Sequence, residues 1–198
     1  MVHSVHLIIG KDAAVAAFLQ QWPTARAVDL REGWQAIPVD DALYAAVEAS
    51  YPAAVRPSGL DVSPLGLSEA LAAATAKGSG LAYVETEYFG GTGAQSATAF
   101  IDGREVVSPQ SAKGSGPINQ ALRRIGVIRT AANDEFDTIG LGERRTMADY
   151  EPEGPMRLRG ETTPAPPTAA AQQFVPMWVV MLVIAAAVGI AIMVSVMR

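Results

Sequence analysis

Apolar residues are distributed in three different ways along this chain. Over residues 1–150 they come in short runs, broken by Gly, Pro, Asp or Asn, the punctuation of a folded domain. Over residues 151–173 apolar periodicity disappears. Over residues 174–197 nearly every position is apolar and none is charged.

Within the first stretch, residues 5–9 (VHLII) form a short apolar run ending at Gly10, which predicts a strand. Asp12 then stands where a helix cap belongs, before a helix over 13–21 with Val15, Phe18 and Leu19 among its apolar positions. Extended pieces are expected around 27–30 and 34–39. Asp40 or Asp41 caps a second helix, with Leu43, Tyr44 and Val47 inward. The Pro- and Gly-rich residues 52–66 read as a loop. Ser68 reads as the cap of a third helix over 69–77, closed by Gly78.

The clearest strand signal follows: LAYVETEY, a connection FGGTG, then AQSATAFI. Asp102-Gly103 is the sequence of a type I′ hairpin turn and sends the chain back through 105–107. Pro117 opens a fourth helix to about 125, ended by Gly126. Residues 127–129 read as a last strand, and 131–150 as mostly irregular. Helices come first and a β-meander later. The expected class is therefore a soluble α+β domain, with a mixed or antiparallel sheet and helices on one face.

The uncharged stretch 174–197 is long enough to span a bilayer, which takes about 20 apolar residues in a helix. Pro176 sits in its first turn. Trp178 lies at interfacial depth near one end and Arg198 in the headgroup layer at the other. Ala185 and Gly189 make a small-xxx-small pair, the spacing that lets membrane helices approach closely. Residues 151–173, rich in Pro, Thr and Ala, read as a spacer. The front of the chain lacks the basic and long apolar regions of an export signal. That predicts post-translational insertion, with the domain on the cytoplasmic side of a bacterial inner or intracytoplasmic membrane. Arg157 and Arg159 on the domain side agree with the positive-inside rule.

Composition narrows the chemistry. The formal charge of −5 argues against a nucleic-acid partner, and the lack of cysteine excludes disulfides and thiolate chemistry. On the strand over 81–89, alternation puts Tyr83, Glu85, Glu87 and Phe89 on one face. Glu85 and Glu87 would stand about 7 Å apart, a separation that fits the acid and base of an inverting glycosidase or two ligands of a hard cation. A solvated sheet face is the preferred reading, since no third group joins them. Gly90-Gly91-Thr92-Gly93 resembles a phosphate loop, but a strand rather than a helix follows, so a wide hairpin loop is expected. His3 and His6, the two histidines, point to opposite faces of a strand and cannot share a metal. Residues 133–137 lack the ligand spacing of a calcium loop. Arginines at 123, 124, 129, 144, 145, 157 and 159 read as ordinary surface charge, with lipid headgroups or an acidic partner as the alternative use. No cofactor is indicated.

The stretches YVETEYFGGTGAQSA, GPINQALRRIGV and DEFDTIGLGERR are similar to small bacterial proteins of unassigned function. That resemblance implies a bacterial source and a stand-alone α+β domain, with the membrane segment as an addition. It supplies no activity or site residues. The expected function is a non-enzymatic, single-span accessory subunit of a membrane protein complex, energy-transducing or photosynthetic. Its partners would be other integral membrane proteins and membrane lipid. A tethered enzyme using Glu85 and Glu87, or an immunity-type protein that binds a toxin, are the alternatives.

Overall fold

The computed structural model describes residues 2–76, 79–90, 92–113 and 116–151. The chain divides into two units, 1–153 and 154–198, and the described residues belong to the first. Among them no helix is long and apolar enough to cross a membrane. The segment read as the anchor, with Trp178, Ala185, Gly189 and Arg198, lies outside the described residues, as do Arg157, Arg159 and nearly all of the spacer.

The unit is built on one six-stranded antiparallel sheet in the order β2-β3-β1-β4-β5-β6. Its strands are β1 (Val2–Gly10), β2 (Val28–Asp29), β3 (Gln35–Pro38), β4 (Gly80–Phe89), β5 (Thr92–Ile101) and β6 (Arg104–Ala112). The helices are α1 (Asp12–Gln21), α2 (Asp41–Ser50), α3 (Leu67–Ala74), α4 (Pro117–Arg124) and the single turn α5 (Glu135–Thr138). Short 3₁₀ turns occupy Arg31–Gly33, Leu141–Glu143 and Met147–Tyr150. The α+β class and the antiparallel sheet are as expected.

The helices do not share one face. Val5, Leu7 and Ile9 of β1, with Ala82 and Val84 of β4, pack on α4 through Ile118, Ala121 and Leu122. Ile8, Leu81, Tyr83 and Phe100 point the other way and pack on α1, α2 and α3 through Phe18, Leu43 and Leu71. A sheet covered on both sides needs apolar residues at consecutive positions, which is why β4 is buried without a break from Leu81 to Thr86. Each large side chain buried this way contributes about 1.5–3 kcal/mol, so the two layers together hold the sheet.

Local chemistry explains where elements start and stop. Asp40 caps α2, its carboxylate accepting the Leu43 N–H at 2.9 Å. Asp12 is not a cap but the first residue of α1, where its charge still favours the helix amino end. Ser68 lies inside α3, whose apolar stripe of Leu67, Leu71 and Ala74 draws the helix start back to Gly66. Gly66 has φ +80, and an added Cβ would clash with Tyr51 Cβ and stand 2.6 Å from the Tyr51 ring. Residues 127–129 are not a strand. Gly126 (φ +104) donates to Arg123 O and Val127 to Leu122 O at 3.0 Å, a Schellman closure that engages Val127 in ending α4.

The β4–β5 connection is also tighter than FGGTG suggested, since Phe89 pairs directly with Thr92. Asp102 and Gly103 both have positive φ (53° and 72°), as a type I′ turn requires. The first half of β1 extends beyond β3. There Ser4 bridges Thr146 in parallel, and its N–H donates to Arg145 O at 2.7 Å. Residues 145–147 thus cover an edge that would otherwise present free backbone groups.

Candidate functional site

Glu85 and Glu87 do share a face of β4, as alternation requires, but they have different environments. Glu85 is 3% exposed, not solvated. Its Oε1 accepts the Asp61 N–H at 2.6 Å, and its Oε2 accepts the Val62 N–H at 3.2 Å and the Tyr83 hydroxyl at 3.0 Å. The carboxylate fastens the loop over residues 52–66 to the sheet. Arg56 holds the same loop from within, donating to Ser63 O at 2.8 Å, Asp61 O at 3.3 Å and the Tyr44 hydroxyl at 2.7 Å. Burial, followed by the charge and hydrogen bond of Glu85, pushes the Tyr83 phenol well above its ordinary range. Glu87 is exposed and accepts from Ser4 Oγ at 2.9 Å, with His6 Nε2 3.4 Å away. Both oxygens of Glu85 have partners, so the pair is not poised as acid and base about a substrate.

His3 points to the opposite face of β1 from His6, as expected. There it borders a cavity of about 280 Å³ that the sequence did not reveal. Thr86 and Tyr88 of β4 and Gln95 of β5 form the sheet side of this cavity. Ile118 and Asn119, in the first turn of α4, form its roof, and Asp134 and Phe136 close it from the chain around α5. The antiparallel register places His3 opposite Tyr88, which brings the first strand beside the central hairpin. The signal that could have located this site is the alternation itself. The same count that puts the glutamates on one face puts Thr86 and Tyr88 on the other, with His3.

The groups around the cavity are organised by hydrogen bonds. Thr86 Oγ1 accepts the Val5 N–H at 3.3 Å and lies 2.7 Å from His3 Nδ1, while Nε2 faces Leu141 O at 3.5 Å. Burial lowers the His3 pKa below its ordinary 6.5; the Leu141 carbonyl raises it, Arg145 lowers it and Asp149 raises it. A neutral ring with its proton on Nε2, accepting the Thr86 hydroxyl at Nδ1, satisfies these partners. Phe136 packs on the ring, with centroids 5.5 Å apart and planes at 50°. Asn119 links α4 to α5, donating to Asp134 Oδ2 at 2.8 Å and accepting the Phe136 N–H at 2.9 Å.

A hydroxyl 2.7 Å from an imidazole has the spacing of a nucleophile and its base. Acyl transfer also needs N–H donors aimed at the oxygen where charge develops. Four N–H groups near the cavity are engaged: Val5 with Thr86, Ile118 with Gln95 Oε1, Phe136 with Asn119, and Asp137 with Asp134.

The remaining candidates have structural roles. Gly93 has no positive φ; it is glycine because an added Cβ would stand 1.9 Å from Glu87 O. Asp134 caps α5 by accepting the Asp137 N–H. Arg123 pairs with the buried Glu135 at 2.7 Å, Arg31 pairs with Glu143, and Arg144 lies over the Tyr150 ring. Among the described residues no group of three His, Asp or Glu could hold a metal. No protein-family model, curated protein or solved structure matches the chain.

Proposed function

We propose that this chain is a non-enzymatic, single-span accessory subunit of a bacterial membrane protein complex. Residues 174–197 anchor it, and the unit built on the six-stranded sheet docks on the cytoplasmic side. The observation that carries the reading is the state of Glu85. The carboxylate pair that alternation along β4 marks out, Glu85 and Glu87, is divided between a buried clamp on the 52–66 loop and an exposed partner of Ser4. The uncharged apolar stretch and its Ala185/Gly189 spacing supply a surface for other membrane helices. Arg157 and Arg159 support the cytoplasmic placement.

Extraction of the full chain from its native membrane in a mild maltoside, followed by mass spectrometry, tests this. The expected result is a fixed set of integral membrane proteins recovered at constant ratio. Recovery as a free monomer overturns it.

A further inference from the structure

We propose that the cavity beside His3 is a binding site for a small organic cation, an amine or quaternary ammonium group. Two independent features of the cavity select that chemistry. The first is its aromatic wall. Phe136 and Tyr88 both line the cavity, Phe136 packed 5.5 Å from the His3 ring and Tyr88 opposite His3 in the strand register. Aromatic faces attract cations through their quadrupole, most strongly where water is displaced.

The second is charge. Asp134 is the acidic residue of the lining, and among the described residues it enters no ion pair. Its carboxylate accepts from Asp137 N and Asn119 Nδ2, which leaves acceptor capacity at the cavity mouth. An anionic ligand would meet that carboxylate instead of a cationic side chain, since among the described residues the lining holds no Lys or Arg.

Size gives a further limit. Pockets for drug-sized ligands run from about 300 Å³ upward, so about 280 Å³ takes a headgroup or a side-chain end and not a nucleotide. The site needs no catalytic role and does not depend on the identity of any host complex.

The test is a calorimetric titration of the full chain in maltoside micelles with choline chloride. It is paired with 3,3-dimethylbutan-1-ol, the neutral molecule of the same shape. Choline is expected to bind saturably and the alcohol at least about tenfold more weakly, the loss of a cation–π and carboxylate contact. Asp134→Asn keeps a good helix cap and removes the charge, and should weaken choline about three- to tenfold. Phe136→Leu should weaken it by a similar factor. Both variants are checked for an unchanged far-ultraviolet spectrum, and Asp137→Asn, outside the lining, should bind as the parent does.

Displacement of choline by dodecylphosphocholine would identify a lipid headgroup as the source of the cation. Failure to displace it would identify free amines. No saturable binding of choline, equal binding of the alcohol, or unchanged affinity in both lining variants overturns the proposal.

Discussion

The Tyr83 hydroxyl donates to Glu85 Oε2 over 3.0 Å, and both residues are buried on the α1–α3 side of the sheet. With the two N–H groups of Asp61 and Val62, this makes Glu85 a structural carboxylate. Glu85→Ala leaves two loop N–H groups and a phenol without their acceptor and should destabilise the unit by about 3 kcal/mol or more. Glu85→Gln should cost about 1–3 kcal/mol, and Tyr83→Phe about 1 kcal/mol. Urea unfolding of the full chain in detergent reads all three. A functional carboxylate behaves in the opposite way, since its neutralisation commonly leaves stability unchanged or raised.

His3 links stability to pH. Its folded pKa lies below the unfolded 6.5, chiefly because burial disfavours the charged ring. In the interval between the two values the unfolded chain binds more protons, so stability rises with pH there. The contribution is complete above about 6.5 and is lost as pH falls through the folded value. His3→Gln should therefore melt with a smaller decrease between pH 7.5 and pH 5 than the parent. An imidazole proton resonance that titrates below that of a model histidine gives the same answer directly.

Glu135 operates in a lower window. The hydrogen bond from Arg123 holds its carboxyl below the ordinary 4.5, so the stability it contributes is present above that value and is lost in acid. Arg123→Ala should lower the melting temperature at pH 7 and have a smaller effect at pH 3. An equal decrease at both values would show that the ion pair is not the cause.

Gly90 and Gly93 should respond differently to alanine. Gly90 has φ +60 and open space around its Cα, so alanine meets only the left-handed backbone cost of about 1–2 kcal/mol. At Gly93 the new Cβ would stand 1.9 Å from Glu87 O and 2.7 Å from Tyr88 Cα, which forces β4 and β5 apart. Gly93→Ala should cost more than Gly90→Ala and should broaden the Tyr88 and His3 ring signals. The reverse order would contradict the register of this hairpin.

Much of the fold is legible in the sequence because local chemistry dictates it. Asp40 caps α2, Asp102-Gly103 turns the β5–β6 hairpin, and Pro117 and Gly126 bound α4. What local pattern misses is set by layers. The continuous apolar runs in HLIIG and GLAYV mean burial on both faces, whereas alternation at the end of β4 suggested one. Glu85 looked solvated because its partners, Asp61 and Val62, come from a loop more than twenty residues away in sequence. The His3 cavity was hidden for the same reason. It joins the first strand, the central hairpin and the region of Asp134, and no sequence period spans such distances.

The central claim is that the apolar stretch is a contact surface within an assembly. Photo-crosslinking in native membranes tests it, with a diazirine amino acid at Gly189 and, as a control from the opposite side of a helical turn, at Ala187. Adducts to one or a few specific integral membrane proteins are expected from Gly189 and a different pattern from Ala187. Adducts to lipid alone from both positions would contradict it.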